Sequence, residues 1–243
     1  MRKPRIYQNI SLVQEQKQLL SDEAAHHLIN VLRMKTGQNV FLFNGKGGYF
    51  DATIIRAEKR TVEVLIGKHH HEENESSLRI TLVQGISRGQ RMDYTLQKAV
   101  ELGVTDIVPV ICQYGNVKLD VNQKEKRLVH WQKIIIGACE QSNRNKIPSI
   151  STPVSFYDWI NIENNGLKIL LHPAGKQTLS QCSLIENHVI LLAGPEGGFS
   201  ENEIEQATKK GFTTIILGPR VLRTETTALA AITACQVLWG DLC

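Results

Sequence analysis

The segment LLAGPEGGFS, residues 191–200, contains the pattern that decides the fold of this chain. An apolar run ends in a glycine-rich turn, residues 194–198, and Ser200 with Glu203 then has the spacing of a helix capping box. The pattern predicts a buried strand, a turn and a helix. A second glycine turn follows the next strand pattern, at residues 217–220. We therefore expect the two turns to form one ligand pocket that is built largely from backbone.

The second part of the chain alternates short apolar patterns with longer amphipathic ones. This alternation predicts an α/β fold with a mostly parallel sheet and helices on both faces. Ligands bind such sheets at the carboxyl ends of the strands, which is where both glycine turns fall. The strand patterns cover residues 80–84, 107–111, 168–171, 189–193 and 214–217, and the helical patterns cover residues 92–102, 124–140, 201–210 and 226–239.

The first part of the chain has the pattern of a small β-barrel. Strand patterns cover residues 39–43, 49–56 and 61–66, and the sequence NGKGG between the first two predicts a hairpin. Ser21 is placed to cap a helix over residues 24–34. Because residues 69–77 are polar and lack an apolar period, we interpret them as a linker. The predicted domains are residues 1–72 and 73–243.

Composition limits the class of protein. No apolar run approaches the roughly 18 residues of a membrane span, and the basic start is not followed by the apolar region of a secretion signal. Five scattered cysteines without a C-x-x-C pair predict reduced thiols and a cytoplasmic location. We expect no metal, because the consecutive side chains of residues 69–71, all histidines, do not converge on one ion.

Charge is distributed unequally between the two predicted domains. Residues 1–72 contain 11 Lys and Arg against 7 Asp and Glu, whereas the remainder contains 17 of each. The whole net charge of +4 therefore lies in the N-terminal domain. This asymmetry fits an anionic polymer such as RNA docking on that domain, and it fits a merely solvated basic face equally well.

The loops exclude two common nucleotide sites. The order G-P-E-G-G is not the G-x-G-x-x-G of dinucleotide sites, and the chain has no G-x-x-x-x-G-K-[ST] phosphate loop. A carboxylate at Glu196 would also repel phosphate. S-adenosylmethionine fits better, since its adenosine can lie on backbone and apolar side chains and its sulfonium tolerates a carboxylate. The alternative is an ordinary strand-to-helix turn without a ligand.

Five segments resemble the RsmE ribosomal RNA methyltransferases, which belong to the SPOUT class. They are residues 27–34, 97–104, 138–148, 194–199 and 217–226, in the family's order and across nearly the whole chain. The resemblance implies a PUA-like N-terminal domain, a trefoil-knotted C-terminal domain and a homodimer. It also implies methylation, with S-adenosylmethionine, of N3 of one uridine in the decoding region of small-subunit ribosomal RNA. Thr227 and Asn143 depart from the family's usual alanine and glycine.

The resemblance and the strand-end positions give candidate site residues. Two arginines could stabilise charge on the uracil carbonyl oxygens, and two glutamates could accept the N3 proton; these catalytic candidates are Arg223, Arg220, Glu196 and Glu225. The cofactor candidates are Leu171, His172, Gly194, Pro195, Glu196, Gly197, Gly198, Leu217, Gly218, Leu222, Arg223 and Thr224. The RNA candidates are Arg2, Arg5, Arg33, Lys35, Lys46, Arg88, Arg91 and Arg144.

Two other functions remain open from the sequence. One is a non-catalytic RNA-binding protein that keeps the fold, although a pure binder would not need both glycine loops. The other is a methyltransferase that acts on transfer RNA through the same pocket. Cofactor binding separates the first alternative from a methyltransferase, and the choice of RNA separates the second.

Overall fold

A computed structural model describes residues 3–115, 117 and 119–242 of the chain. The residues form two compact units. The first consists of the chain up to Glu75 together with Cys139–Ile147, and the second of Ser76–Ala138 together with Pro148 onward. The domain boundary between residues 72 and 73 stays a prediction.

The first unit is built on a five-stranded sheet in the order β1-β3-β4-β5-β2. Its strands are β1 (Arg5–Tyr7), β2 (Lys17–Leu19), β3 (Asn39–Phe43), β4 (Tyr49–Glu58) and β5 (Thr61–His70). The predicted hairpin forms, since β3 and β4 pair antiparallel with Leu42 opposite Phe50. The linker was predicted to begin at residue 69, but β5 continues to His70 because His69 pairs with Phe50 and His70 with Tyr49. Strands β1 and β2 were not predicted, since three-residue strands carry too little periodicity.

The core of this unit follows the alternation of β4 and β5. Ala52, Ile54, Val62, Val64 and Ile66 are buried in one cluster. Helix α1 (Asp22–His26) covers it, and the Ser21 side chain caps the helix as predicted. The predicted helix over residues 24–34 is only partly α-helical, because a π-helical turn occupies His27–Val31.

The second unit contains a parallel sheet in the order β12-β10-β11-β6-β7-β8, and β9 also pairs with β7. Its strands are β6 (Arg79–Gly85), β7 (Asp106–Ile111), β8 (Ser149–Ile150), β9 (Val154–Ser155), β10 (Leu167–Leu171), β11 (His188–Ala193) and β12 (Thr213–Ile215). The five predicted strands are present. The last one ends at Ile215 instead of 217, because the chain turns there towards Gly218, whose φ is 80°.

The second unit also contains α-helices. They are α2 (Gln90–Glu101), α3 (Val121–Ser142), α4 (Phe156–Trp159), α5 (Glu201–Lys209) and α6 (Thr224–Trp239); the last residues of α3 belong to the first unit. The four longer helices were predicted, and the capping box of Ser200 and Glu203 forms at the start of α5. The one-turn α4 was missed. Apart from their first residues, the central strands β6 and β11 are buried, as expected of a parallel sheet that is covered on both faces.

Topology brings the predicted loops together. Because β12, β10, β11 and β6 are parallel neighbours, their carboxyl ends meet at one edge of the sheet. The approach is close: a Cβ atom added to Gly85, at the end of β6, would lie 2.4 Å from the Pro195 ring. The glycine at this position is therefore a packing requirement of the turn that follows β11.

Candidate active site

A cavity of about 660 Å³ lies at the carboxyl ends of β10, β11 and β12. It is lined by all the residues that were predicted to bind the cofactor, from Leu171 and His172 through both glycine turns to Thr224. The catalytic candidates Arg220, Arg223, Glu196 and Glu225 line it as well. Eight further wall residues were not among the cofactor candidates, although Phe199, Pro219 and Val221 lie within the family-like segments and Arg91 was predicted to contact RNA. They are Arg91, Pro173, Phe199, Ile215, Ile216, Pro219, Val221 and Thr227.

The first glycine turn is held in a shape that other residues would disturb. The Gly198 N–H donates to the Pro195 carbonyl at 2.9 Å, and Gly198 has a φ of 70°, a conformation that glycine adopts without strain. At Gly197 a Cβ atom would come within 2.7 Å of the Tyr114 carbonyl oxygen. Glycine therefore lets the backbone itself form the wall of the cavity.

Glu196 is an ion-paired carboxylate that holds this turn. Its Oε1 accepts the Arg88 backbone N–H at 3.0 Å and an Arg91 guanidinium N–H at 3.1 Å. Burial alone would raise the pKa of Glu196, but these hydrogen bonds and one from its own backbone N–H outweigh it and lower the pKa below the usual value. A carboxylate so stabilised is a weak base, so Glu196 is better placed to shape the turn than to accept a proton.

Thr224 and Gln84 join the two loops inside the protein. The Thr224 hydroxyl donates to the Gly194 carbonyl, and the fully buried Gln84 amide donates to the Thr224 hydroxyl at 3.1 Å and to the Gly194 carbonyl at 3.3 Å. Gln84 was not among the predicted site residues. The sequence signal that could have identified Gln84 is a polar residue near the carboxyl end of β6, in the sequence VQG.

Glu225 presents an unsatisfied carboxylate oxygen at the start of α6. Arg223 is the N-cap residue of this helix and is exposed, and Glu225 lies in its first turn. The Glu225 Oε2 atom is buried and has no hydrogen-bond partner among the described residues. A buried acceptor without a donor is costly unless a ligand supplies one. The positive end of the helix favours a negative charge here.

The His172 side chain forms a hydrogen bond with the backbone of its own loop. The His172 Nδ1 atom accepts a hydrogen bond from the Ala174 backbone N–H at 3.2 Å. The His172 backbone N–H donates to the Ile215 carbonyl at 3.0 Å. The bond to Ile215 joins the end of β10 to the end of β12. His172 is thus part of the cavity wall, through its position rather than its chemistry.

The RNA candidates fall into three groups. Side chains of the first group are exposed on the surface: Arg33, Lys35, Lys46, Arg88 and Arg91. In the second group Arg5 lies over the Tyr49 ring at 4.6 Å and donates to Asn145. The third group consists of Arg144 alone, which is buried. It is 4% exposed and forms an ion pair with Glu75. Its burial removes Arg144 from the proposed RNA contacts, and Arg2 lies outside the described residues.

The described residues form neither a metal-binding cluster nor a membrane-spanning helix. No group of three or more His, Cys, Asp or Glu side chains converges on a point in the described part of the chain. His70 instead bonds to Asp51 at 2.7 Å, and His69 stacks on Phe50. Within the same described residues, every helix is too short or too polar to span a bilayer.

The cysteines that are described are free thiols, namely Cys112, Cys139, Cys182 and Cys235. Burial raises the pKa of Cys139 and of Cys235 to about 12. These two thiols therefore stay protonated and unreactive at neutral pH.

Comparison with known protein families gives two matches along the chain. Residues 74–236 match the RNA methyltransferase domain family, and residues 20–67 match the RNA methyltransferase PUA domain family. The larger match contains the whole cavity.

Individual relatives cover nearly the full length. Ribosomal RNA small subunit methyltransferase E of Buchnera aphidicola (subspecies Schizaphis graminum) is 40% identical over 98% of both chains. The protein of the same name from Bacillus subtilis is 30% identical over 91% of this chain and 92% of its own.

Two solved structures are similar over the full length of the chain. A structure of ribosomal RNA small subunit methyltransferase E from Neisseria gonorrhoeae, bound to S-adenosylmethionine, is 40% identical with a TM-score of 0.93 and full coverage of both chains. A structure described as a methyltransferase of Legionella pneumophila, with the cofactor SAM bound, is 42% identical with a TM-score of 0.97, again over both full chains. The chain therefore belongs to the ribosomal RNA small subunit methyltransferase E family, and it contains both an RNA methyltransferase domain and a PUA domain.

Proposed function

We propose that this protein transfers a methyl group from S-adenosylmethionine to N3 of one uridine in the decoding region of small-subunit ribosomal RNA. The observation that carries the proposal is the backbone-lined cavity between the glycine turns, which combines apolar walls with a buried, unpartnered carboxylate oxygen. Relatives with the same fold and about 40% identity have been solved with this cofactor bound.

The residues present suit this cofactor. Leu171, Ile215 and Leu222 supply apolar walls, and the glycine turns supply backbone N–H and C=O groups for a nucleoside. The Glu225 oxygen suits a hydrogen-bond donor of the RNA base. Bound in the cavity, S-adenosylmethionine supplies an electrophilic methyl group.

Three tasks fall to the chain's own side chains. Glu225 accepts the proton that leaves uracil N3, because its Oε2 is free of other described partners, whereas Glu196 is engaged by two donors. Arg223, with Arg220 beside it, stabilises the negative charge that spreads to the uracil carbonyl oxygens. The loops position the base, and positioning can contribute about 7–11 kcal/mol to such a reaction at best.

Several features belong to the same proposal. The second unit is trefoil-knotted, the enzyme acts as a homodimer in the cytoplasm, and it uses no metal. The homodimer is supported by exposed apolar side chains at and beyond the end of α6, where Val237, Leu238 and Leu242 are each at least 45% exposed. Free thiols are in keeping with the cytoplasm.

Labelled S-adenosylmethionine and small ribosomal subunits from cells that lack this modification provide the test. The RNA is digested to nucleosides, which are identified by mass spectrometry. We expect labelled N3-methyluridine, and none with the Glu225→Gln variant on the same time scale. Label in transfer RNA alone would replace the proposed substrate, and no label in any RNA would favour a non-catalytic RNA-binding protein.

A further inference from the structure

Tyr114 lies against the glycine turn that forms one wall of the cavity. It follows β7, and its carbonyl oxygen and Cβ atom lie against Gly197, one of the cavity-lining residues. Tyr114 is nevertheless 51% exposed. Because about half of this residue is exposed beside a turn that lines the cavity, its side chain is available to a ligand that reaches the cavity.

The backbone that presents Tyr114 is held on both sides. Before it, Cys112 is buried in the core, and the Gln113 N–H donates at 2.8 Å to the fully buried carboxylate of Glu203, the residue that also caps α5. After it, the Gly115 N–H donates to the Cys112 carbonyl at 3.0 Å and closes a turn. A group held in this way loses little conformational entropy when a ligand binds.

Two arginines form hydrogen bonds with Glu196 in the same glycine turn. Arg91 pairs with Glu196, the residue before Gly197, and its side chain remains 48% exposed. Arg88 is exposed and donates its backbone N–H to the same carboxylate. An aromatic residue and guanidinium groups that contact one turn are the combination that binds single-stranded nucleic acid, in which bases stack on rings and phosphates pair with cations.

We propose that Tyr114 is a stacking platform for a base of the RNA substrate at the mouth of the methyl-donor cavity. This inference rests on the proposed function, and it adds a residue that sets how the RNA is received. The target nucleotide has to leave its stack to reach the cavity, and a ring at the mouth replaces part of the stacking that is lost. Because the platform contacts RNA and not the methyl donor, its loss affects RNA affinity alone.

Two variants of Tyr114 test the role of the ring. Tyr114→Phe keeps the ring, Tyr114→Ala removes it, and Tyr157→Ala removes another tyrosine of the same unit, which is 40% exposed and accepts a hydrogen bond from Asn202. KM for small subunits and kcat are measured together with the Kd for S-adenosylmethionine. We expect Tyr114→Ala to raise KM by about ten-fold or more at unchanged cofactor Kd. Tyr114→Phe and Tyr157→Ala should stay within about two-fold of the original protein.

A fluorescence titration keeps this test independent of catalysis. A short single-stranded RNA that contains 2-aminopurine is titrated with each protein, since stacking on a ring quenches this base. Quenching by the original protein and by Tyr114→Phe, but not by Tyr114→Ala, supports the platform. Equal RNA affinity and quenching in all variants, or an equal rise in cofactor Kd, would overturn it. Failure of the original protein to methylate any RNA would count against the proposed function instead.

Discussion

Two carboxylates line the cavity in different surroundings. Mutation of each should therefore have a different effect on kcat. Glu225 has a buried oxygen without a described partner, whereas Glu196 is bonded to Arg88 and Arg91. We expect Glu225→Gln to lower kcat by about 10²–10⁴-fold, the usual contribution of a general base. Glu196→Gln should change kcat far less. Single-turnover methylation of small subunits measures both, and equal losses in the two variants would contradict the assignment.

The lowered pKa of Glu196 gives a prediction about acid stability. Its folded pKa is below the usual 4.5, so its contribution to stability is fully present above that value and is lost as the pH falls through the folded pKa. Glu196→Gln should therefore be less stable than the original protein near neutral pH, and the difference should vanish in strong acid. Urea unfolding at about pH 7 and at a series of lower pH values checks this. A difference that grows towards acid would refute it.

The Thr224 hydroxyl is the contact that joins the two glycine loops. It donates to the Gly194 carbonyl and accepts from Gln84, and Thr224 is 9% exposed. Thr224→Val keeps the shape of the side chain but removes the hydroxyl that both partners bond to. We expect this loss to lower the free energy of unfolding by about 1–3 kcal/mol. We expect weaker cofactor binding as well, while Thr224→Ser retains both properties. Normal cofactor affinity in a destabilised Thr224→Val would show that the bond is only structural.

At the scale of elements, the junction of β6 with the turn after β11 depends on one glycine. A Cβ atom on Gly85 would lie 2.4 Å from the Pro195 ring, whereas one on Gly137, within α3, meets nothing within 4 Å. Gly85→Ala should destabilise the protein by about 1–3 kcal/mol through overpacking. Gly137→Ala should stabilise it by about 0.5–1 kcal/mol, because alanine is the better helix former. Thermal unfolding distinguishes them, and equal effects would contradict the packing argument.

The sequence predicted the elements whose signals are local. The capping box of α5, the hairpin of β3 and β4 and the five main strands each depend on residues that are close together in sequence. The short strands β8 and β9 form because they pair with β7, which no local pattern reveals. The π-helical turn at His27–Val31 was likewise invisible, because its residues have an ordinary helical pattern.

Side-chain partners distant in sequence limited the prediction of the site. Its backbone loops could be identified from glycines and strand ends. The role of Gln84 could not, since it depends on Thr224, 140 residues away. Arg144 was predicted to contact RNA, and its burial against Glu75, 69 residues away, could not be foreseen from a basic segment.

At the scale of the whole molecule, the charge asymmetry predicts how RNA binding responds to salt. Arg33, Lys35 and Lys46 are exposed cations of the first unit. Replacing all three with glutamine should weaken RNA binding and reduce the slope of log affinity against log salt by up to about 3, roughly one for each lost phosphate contact. The Kd for S-adenosylmethionine should not change. An unaltered slope would mean that these charges are only solvated.

The central claim is that the cavity between the glycine turns holds the methyl donor. Titration calorimetry of S-adenosylmethionine into the purified protein tests it most directly, with Gly197→Val as the variant because its side chain would meet the Tyr114 carbonyl oxygen. We expect saturable binding by the original protein and its loss in the variant, with circular dichroism confirming that the variant is folded. Absence of binding by the original protein, or equal binding by a folded Gly197→Val, would contradict the claim.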